Sequence, residues 1–283
     1  MPELRLRGGS LDGVDLHYLV QGRGPVVILV HGLGGFAASW GPTMETLSRR
    51  ATVMALDLPG FGRSAKPRTR YGLDLFTAAL DGFLEATGAG PVGLVGHSLG
   101  AAVALSYALA HPQRVDRMAV VAGLVPGVTY QLSRMYRALA LRGVGEALAL
   151  CGCAPVYRAA LARCFHHPRA QEIAFLVSCD YATRTAWDAR AAYLSTLRAV
   201  CHDWELRRSE FGKALRTLAT PVLLIHGRQD PVVPPAHCED AAQHLPCAET
   251  RWVDACGHFP QLEHPDPVNN WLGDFLVGRP AHR

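Results

Sequence analysis

The chain has 283 residues, 49% of them hydrophobic and 18% charged, a balance that provides a sizeable core and excludes a disordered chain. Its formal net charge of +4 contains no block of like charges, so a nucleic-acid partner has no electrostatic footprint here. The opening MPELRLRGGS lacks the long apolar core of a signal peptide, and the strongest apolar runs, 26–30 and 99–105, are too short to span a bilayer; a cytoplasmic protein with no stable membrane insertion is the expectation.

Residues 3–7 and 14–20 alternate as early strands around a turn at Leu11-Asp12-Gly13. Residues 25–30 are continuously apolar, as in a strand covered on both faces, and run into His31-Gly32-Leu33-Gly34-Gly35. Residues 51–56 repeat that pattern and end in Asp57-Leu58-Pro59-Gly60-Phe61-Gly62. Helical spacing over 73–87 puts Leu75, Ala79, Leu80, Phe83 and Leu84 on one side. A strand at 91–96, a helix at 99–110 and a strand at 115–121 follow. After a long interval come strands at 221–225 and 250–253 and a closing helix at 269–276. Strands alternating with helices predict an α/β fold built on a largely parallel, doubly covered sheet.

The interval 125–216 breaks that alternation. It is rich in Ala, Leu and Arg and keeps helical periodicity throughout, for example at Leu132, Met135, Tyr136 and Leu139. We read it as a helical insertion over the end of the sheet, with 1–124 and 217–283 forming the core. It holds 13 Lys and Arg against 7 Asp and Glu, and these arginines are expected to be solvated, their stems covering apolar surface. Five of the eight cysteines, Cys151, Cys153, Cys164, Cys179 and Cys201, fall in it. Without a secretory signal they do not suggest a disulfide framework. The one-residue gap in Cys151-Gly-Cys153 is shorter than usual zinc-ligand spacing, so neither a metal nor a cofactor is expected, even with His166 and His167 nearby.

The chemistry is concentrated at Gly96-His97-Ser98-Leu99-Gly100, between a buried strand and a buried helix. A serine hydroxyl needs a base to take its proton and donors to hold the resulting oxyanion. It must also stand exposed on a sharp turn, where flanking glycines supply clearance. The base is assigned to His258, in a loop just after the last strand; His97 is too close in sequence and is read as a packed turn residue. His226 is read as structural, and His264 as anchoring the final helix. The orienting carboxylate is assigned to Asp230, in the loop after strand 221–225. Loops after the strands of a parallel sheet meet at one edge, which brings 98, 230 and 258 together. The oxyanion donors are expected to be the N–H groups of Leu99 and Leu33, with Gly32 and Gly34 letting the backbone approach the substrate.

These residues, with Asp57 to Ser64 and Gly257-His258-Phe259-Pro260, resemble the α/β-hydrolase superfamily over roughly residues 14–277. The resemblance implies an eight-stranded, mostly parallel sheet with a helical cap between strands six and seven, and a structural turn without chemistry at 57–64. A serine nucleophile disfavours the epoxide hydrolases and haloalkane dehalogenases, which carry aspartate there. It fits esterases, lipases, thioesterases and carbon–carbon bond hydrolases of ring-cleavage dienoates. The His31 loop lacks the Ser-Gly-Pro-Gly form often seen in the last group, which ranks cleavage of small to medium acyl or aryl esters first. The alternatives are carbon–carbon bond hydrolysis and a hydrolase-derived ligand receptor with little turnover. Met135, Tyr136, Phe165, Phe175, Leu176 and Phe259 are expected around an acyl or aryl pocket. The partner is a small-molecule ester; the oligomeric state is unknown from sequence.

Overall fold

In a computed structural model, which describes residues 3–150 and 152–278, the apolar runs become strands of one sheet. Cys151 lies outside the described residues. In chain order the elements are β1 (Glu3–Arg5), β2 (Asp15–Gln21), β3 (Val26–Val30), α1 (Gly41–Leu47), β4 (Thr52–Leu56), α2 (Leu73–Ala86), β5 (Val92–His97), α3 (Leu99–Ala110) and β6 (Val115–Val121). Five helices follow: α4 (Arg134–Ala140), α5 (Val144–Leu150), α6 (Ala154–Ala162), α7 (Ala170–Arg184) and α8 (Trp187–Leu215). The chain closes with β7 (Val222–Gly227), α9 (Pro235–His244), β8 (Ala248–Val253), α10 (Pro260–Glu263) and α11 (Pro265–Val277).

The sheet has eight strands in the order β1-β2-β4-β3-β5-β6-β7-β8. β1 and β2 join antiparallel at one edge, and every pairing from β4 onward is parallel. The two-residue repeat of a strand divides its side chains between two cores. Ile28, Val30, Leu94 and Leu224 face α2, α3 and α9, whereas Val27, Leu29, Val95 and Ile225 face α1 and α11. Both halves of each central strand are therefore dry, which is why those strands read as unbroken apolar runs rather than alternating ones.

The insertion is helical, as its periodicity suggests, but its long last helix serves two masters. α8 has 29 residues; Ala192 through Leu215 includes Val200, Trp204 and Leu215, which are buried in the main core. By contrast α4 has no buried residue, and Met135 is 55% exposed. Of the Leu132, Met135, Tyr136, Leu139 set, Leu132 precedes the helix and only Met135 is exposed, the other three being half-buried, because periodicity specifies a face and not how completely it is covered. Among the described residues no single helix is long and apolar enough to cross a membrane.

The turn at 57–64 is held by a buried carboxylate. Asp57 accepts from the ring Nδ1 of His17 at 2.8 Å, from the N–H of Arg63 at 2.9 Å and from the N–H of Ala37. Burial alone would raise this carboxyl, but the His17 bond and the two backbone donors, Arg63 and Ala37, oppose it, and the carboxyl lies below the usual carboxylate range. A depressed folded value means stability that is complete above the unfolded value, about pH 4, and is lost as pH falls through the folded one. Thermal melts are therefore expected to drop on acidification below about pH 4, and Asp57→Asn to flatten that acid limb. An unchanged acid limb in the variant would contradict this account.

Candidate active site

Ser98 sits where β5 hands over to α3, at φ 52° and ψ −118°. A non-glycine residue rarely adopts that conformation, so the surroundings must enforce it. They do so through the backbone: the N–H of Ser98 donates to Val121 O at 3.1 Å, and Ser98 O accepts from Ala101 at 3.1 Å and Leu124 at 3.0 Å. The bracketing glycines supply the clearance the motif calls for. A Cβ on Gly96 would lie 2.4 Å from Gly100 O, and one on Gly100 would lie 2.3 Å from Val30 O. Leu99 is the first residue of α3, where helical N–H groups lack an intrahelical acceptor.

The His31 loop is built alongside. Leu58 N–H donates to His31 Nε2 at 3.0 Å, so the neutral ring carries its proton on Nδ1 and donates it to Gly32 O at 2.8 Å. Gly35 N–H donates to the same carbonyl at 3.0 Å, and Gly34 turns at φ 68°. Gly32 comes so close to the elbow that a Cβ there would lie 2.9 Å from that of Ser98. Leu33 lies between Gly32 and Gly35, in the turn that the Gly35–Gly32 bond closes.

Asp230 and His258 follow β7 and β8, on the same sheet edge as Ser98. His258 Nδ1 donates to Asp230 Oδ2 at 2.8 Å. The other carboxylate oxygen accepts from Val232 N–H at 2.8 Å and Val233 N–H at 3.0 Å. Burial pushes this carboxyl up, but His258, His226 and the backbone donors prevail and hold it below the usual range. The two loops are also laced together: Gln229 N–H donates to Cys256 O at 3.0 Å, and its side-chain oxygen accepts from Cys256 N–H at 3.0 Å.

His97 is a packed residue, and it packs against the site. Its ring centroid is 4.9 Å from that of His258 and 5.0 Å from that of Phe259, and Nε2 donates to the carbonyl of His258 at 2.8 Å. Burial, reinforced by His258, drives its pKa down to about 3, so it is a neutral donor. His226 donates from Nε2 to Val233 O at 2.9 Å, and His264 precedes α11 with its ring on Ala255 O at 3.0 Å.

Of the apolar residues expected around a pocket, Phe165 and Leu176 are buried with Phe36, Ile173, Val177 and Leu262 in a small core joining the insertion to the site. Phe259 packs on that core and is stacked between His97 and Phe165, whose centroid lies 4.8 Å away. Met135 and Phe175 are not part of it and point outward, at 55% and 44% exposure; Tyr136 is half-buried on α4. Phe36, in the loop after β3, has no motif to mark it. Glu263 falls in the stretch 257–265, whose sequence resembles the His-loop of carbon–carbon bond hydrolases but gives it no role; it is a buried carboxylate of α10 that accepts from Gly257 N–H at 2.9 Å and from His166 N–H at 2.8 Å. Among the described residues no group of three or more His, Cys, Asp or Glu is arranged to hold a metal ion.

The arrangement is that of a serine on a strained elbow and an imidazole held in one tautomer by a buried carboxylate. Residues 27–271 match the family model described as "Alpha/beta hydrolase family". The chain belongs to the alpha/beta hydrolase family. This alpha/beta hydrolase is 31% identical over 279 residues to an uncharacterized protein of Mycobacterium tuberculosis (strain ATCC 25618 / H37Rv), covering 94% of this chain and 78% of that protein. It is 29% identical to the 2-hydroxy-6-oxo-6-(2'-aminophenyl)hexa-2,4-dienoic acid hydrolase of Metapseudomonas resinovorans, over 95% of this chain and 90% of the relative. Among solved structures it is similar to the 2-hydroxy-6-oxo-6-phenylhexa-2,4-dienoate hydrolase from Rhodococcus sp. strain RHA1, with a TM-score of 0.83, 27% identity, and coverage of 97% of this chain and 98% of that one.

Proposed function

We propose that this alpha/beta hydrolase cleaves the carbon–carbon bond beside the ketone of a 2-hydroxy-6-oxo-2,4-dienoate, using Ser98, His258 and Asp230. The supporting observation is the end-to-end likeness, insertion included, to hydrolases named for such substrates. This reverses the order in which sequence motifs alone rank the reactions, with esters first. His258 takes the Ser98 proton as Oγ attacks the ketone carbon. The N–H groups of Leu33 and Leu99 hold the oxyanion. The step requires the 2-keto tautomer, in which the 2-hydroxyl proton has moved to the carbon beside the ketone; when the intermediate then collapses, the carbon–carbon bond breaks, its electron pair is delocalised through the 3,4 double bond onto the 2-keto oxygen, and the proton on His258 is returned to that fragment. Water, activated by His258, then releases the acyl group from Ser98.

A second reading, ester cleavage, is favoured by one observation. Among the residues whose burial is described no Lys or Arg is fully buried, and a neutral ester, unlike a dienoate, needs no buried cation to pair with a carboxylate. The same machinery serves both, and the leaving group distinguishes them. The test compares bleaching of a yellow 6-phenyl dienoate with release of p-nitrophenol from p-nitrophenyl butyrate. A kcat/KM about 100-fold or more in favour of the dienoate is expected. The reverse ratio establishes the esterase reading, and fluorophosphonate labelling without turnover of either substrate establishes a receptor.

A further inference from the structure

The loop that carries His258 is fastened to the insertion as well as to the core. The N–H of His258 itself donates to Cys164 O at 2.7 Å, so the imidazole-bearing residue hangs by its backbone from the turn between α6 and α7. One residue earlier, Gly257 packs so tightly on that turn that a Cβ would lie 2.5 Å from Cys164 O and 2.7 Å from His166 N. Glu263 closes the arrangement. Its Oε1 accepts from Gly257 N–H at 2.9 Å and more weakly from Phe259 N–H at 3.4 Å, on either side of His258. Its Oε2 accepts from His166 N–H at 2.8 Å, in the insertion. The thiol of Cys256 also leans on Oε1, at 3.8 Å.

A buried carboxylate is costly unless its lone pairs are satisfied, and here three backbone N–H groups do so. None of the three lies on a regular element, so each would otherwise be an orphan donor in a dry region. We propose that Glu263 is a positioning residue that locks the His258 loop to the 164–166 turn, so that the base is in register with Ser98 only while the insertion is seated. The inference rests on the reading of His258 as the base. It deepens that reading by making the insertion part of what aims the imidazole. Glu263 needs both oxygens as acceptors. An amide at the same place keeps the volume but turns one acceptor into a donor facing an N–H, which forces that strand of the clasp apart.

The experiment uses Glu263→Gln and Gly257→Ala in the full chain, with kcat divided by the active-site concentration titrated with a fluorophosphonate. Both variants are expected to lose about 10- to 100-fold in kcat with KM changed little, because a displacement of the base near 1 Å suffices for that loss. A purely structural role would lower the melting temperature and the titrated fraction but leave kcat per titrated site unchanged. That result in a folded variant overturns the proposal. Wild-type amide exchange gives a readout independent of either variant's folding. The amides of Gly257, His258 and His166 are expected to exchange at one common rate, as members of a single opening unit, and separate rates would overturn the clasp. Ser98→Ala tells the two failures apart. If that variant retains turnover, the reaction itself is misassigned, whereas if it is inactive and Glu263→Gln is fully active per site, only the clasp is wrong.

Discussion

Ser98→Ala is expected to reduce turnover by about 10⁴-fold or more while leaving the fold intact. The substitution keeps the Cβ, so the backbone at φ 52° is no more strained than before. The bonds to Val121, Ala101 and Leu124 that enforce this conformation are all made by the main chain. Only the hydroxyl is lost, and with it the covalent route. On the mechanism proposed above, what survives would come from the N–H groups of Leu33 and Leu99 and from substrate binding, which together would sustain a small residual rate over water. The measurement is kcat on the better substrate of the dienoate and ester pair, beside a thermal melt. A variant that melts like the parent and turns over at a near-normal rate removes the nucleophile from the mechanism.

Asp230→Asn is expected to be nearly as severe, about 10³- to 10⁴-fold in kcat at neutral pH. The carboxylate makes two kinds of contact. One oxygen takes the N–H groups of Val232 and Val233, and an asparagine oxygen can do the same. The other receives Nδ1–H of His258, and there the amide presents N–H instead. Two donors cannot face each other, so the imidazole proton moves to Nε2, the nitrogen that must be free to take the Ser98 proton. The loss is thus one of tautomer rather than of packing, and the melting temperature should fall far less than the rate. Because burial is outweighed by His258, His226 and the backbone donors, Asp230 stays ionised until pH falls below the usual carboxylate value of about 4. The gap between parent and variant should therefore persist across the neutral range, and a gap that closes between about pH 6 and 8 would contradict a permanently charged orienter.

Much of this site is legible from residue order because a parallel sheet converts position after a strand into position in space. Ser98, Asp230 and His258 each follow an apolar run, and β5, β7 and β8 deliver all three to one edge. The elbow is legible for a local reason: the glycines at 96 and 100 stand where a Cβ would strike backbone oxygens. The role of Glu263 is not legible, since its partners are the main-chain N–H groups of residues 166, 257 and 259, and a backbone donor has no letter in the sequence. The same applies to Gln229, which laces the two loops through Cys256. Helices α9 and α11 begin at Pro235 and Pro265, and proline reads as an interruption although it suits a first helical turn. Met135 shows the opposite failure: its spacing is helical, but no element covers it.

The length of α8 has a consequence for how a substrate reaches Ser98. A single unbroken rod starts among the inserted helices at Trp187 and finishes at Leu215 wedged into the main core, with Trp204 on the way, its indole N–H held by Val128 O at 3.0 Å. Swinging the whole roof aside like a door would mean snapping that rod or pulling an indole out of the interior. Substrate entry is therefore expected to depend on the separate pieces, α4 and α5 packed on the rod and α6 packed on α7, like shutters hung on a fixed beam.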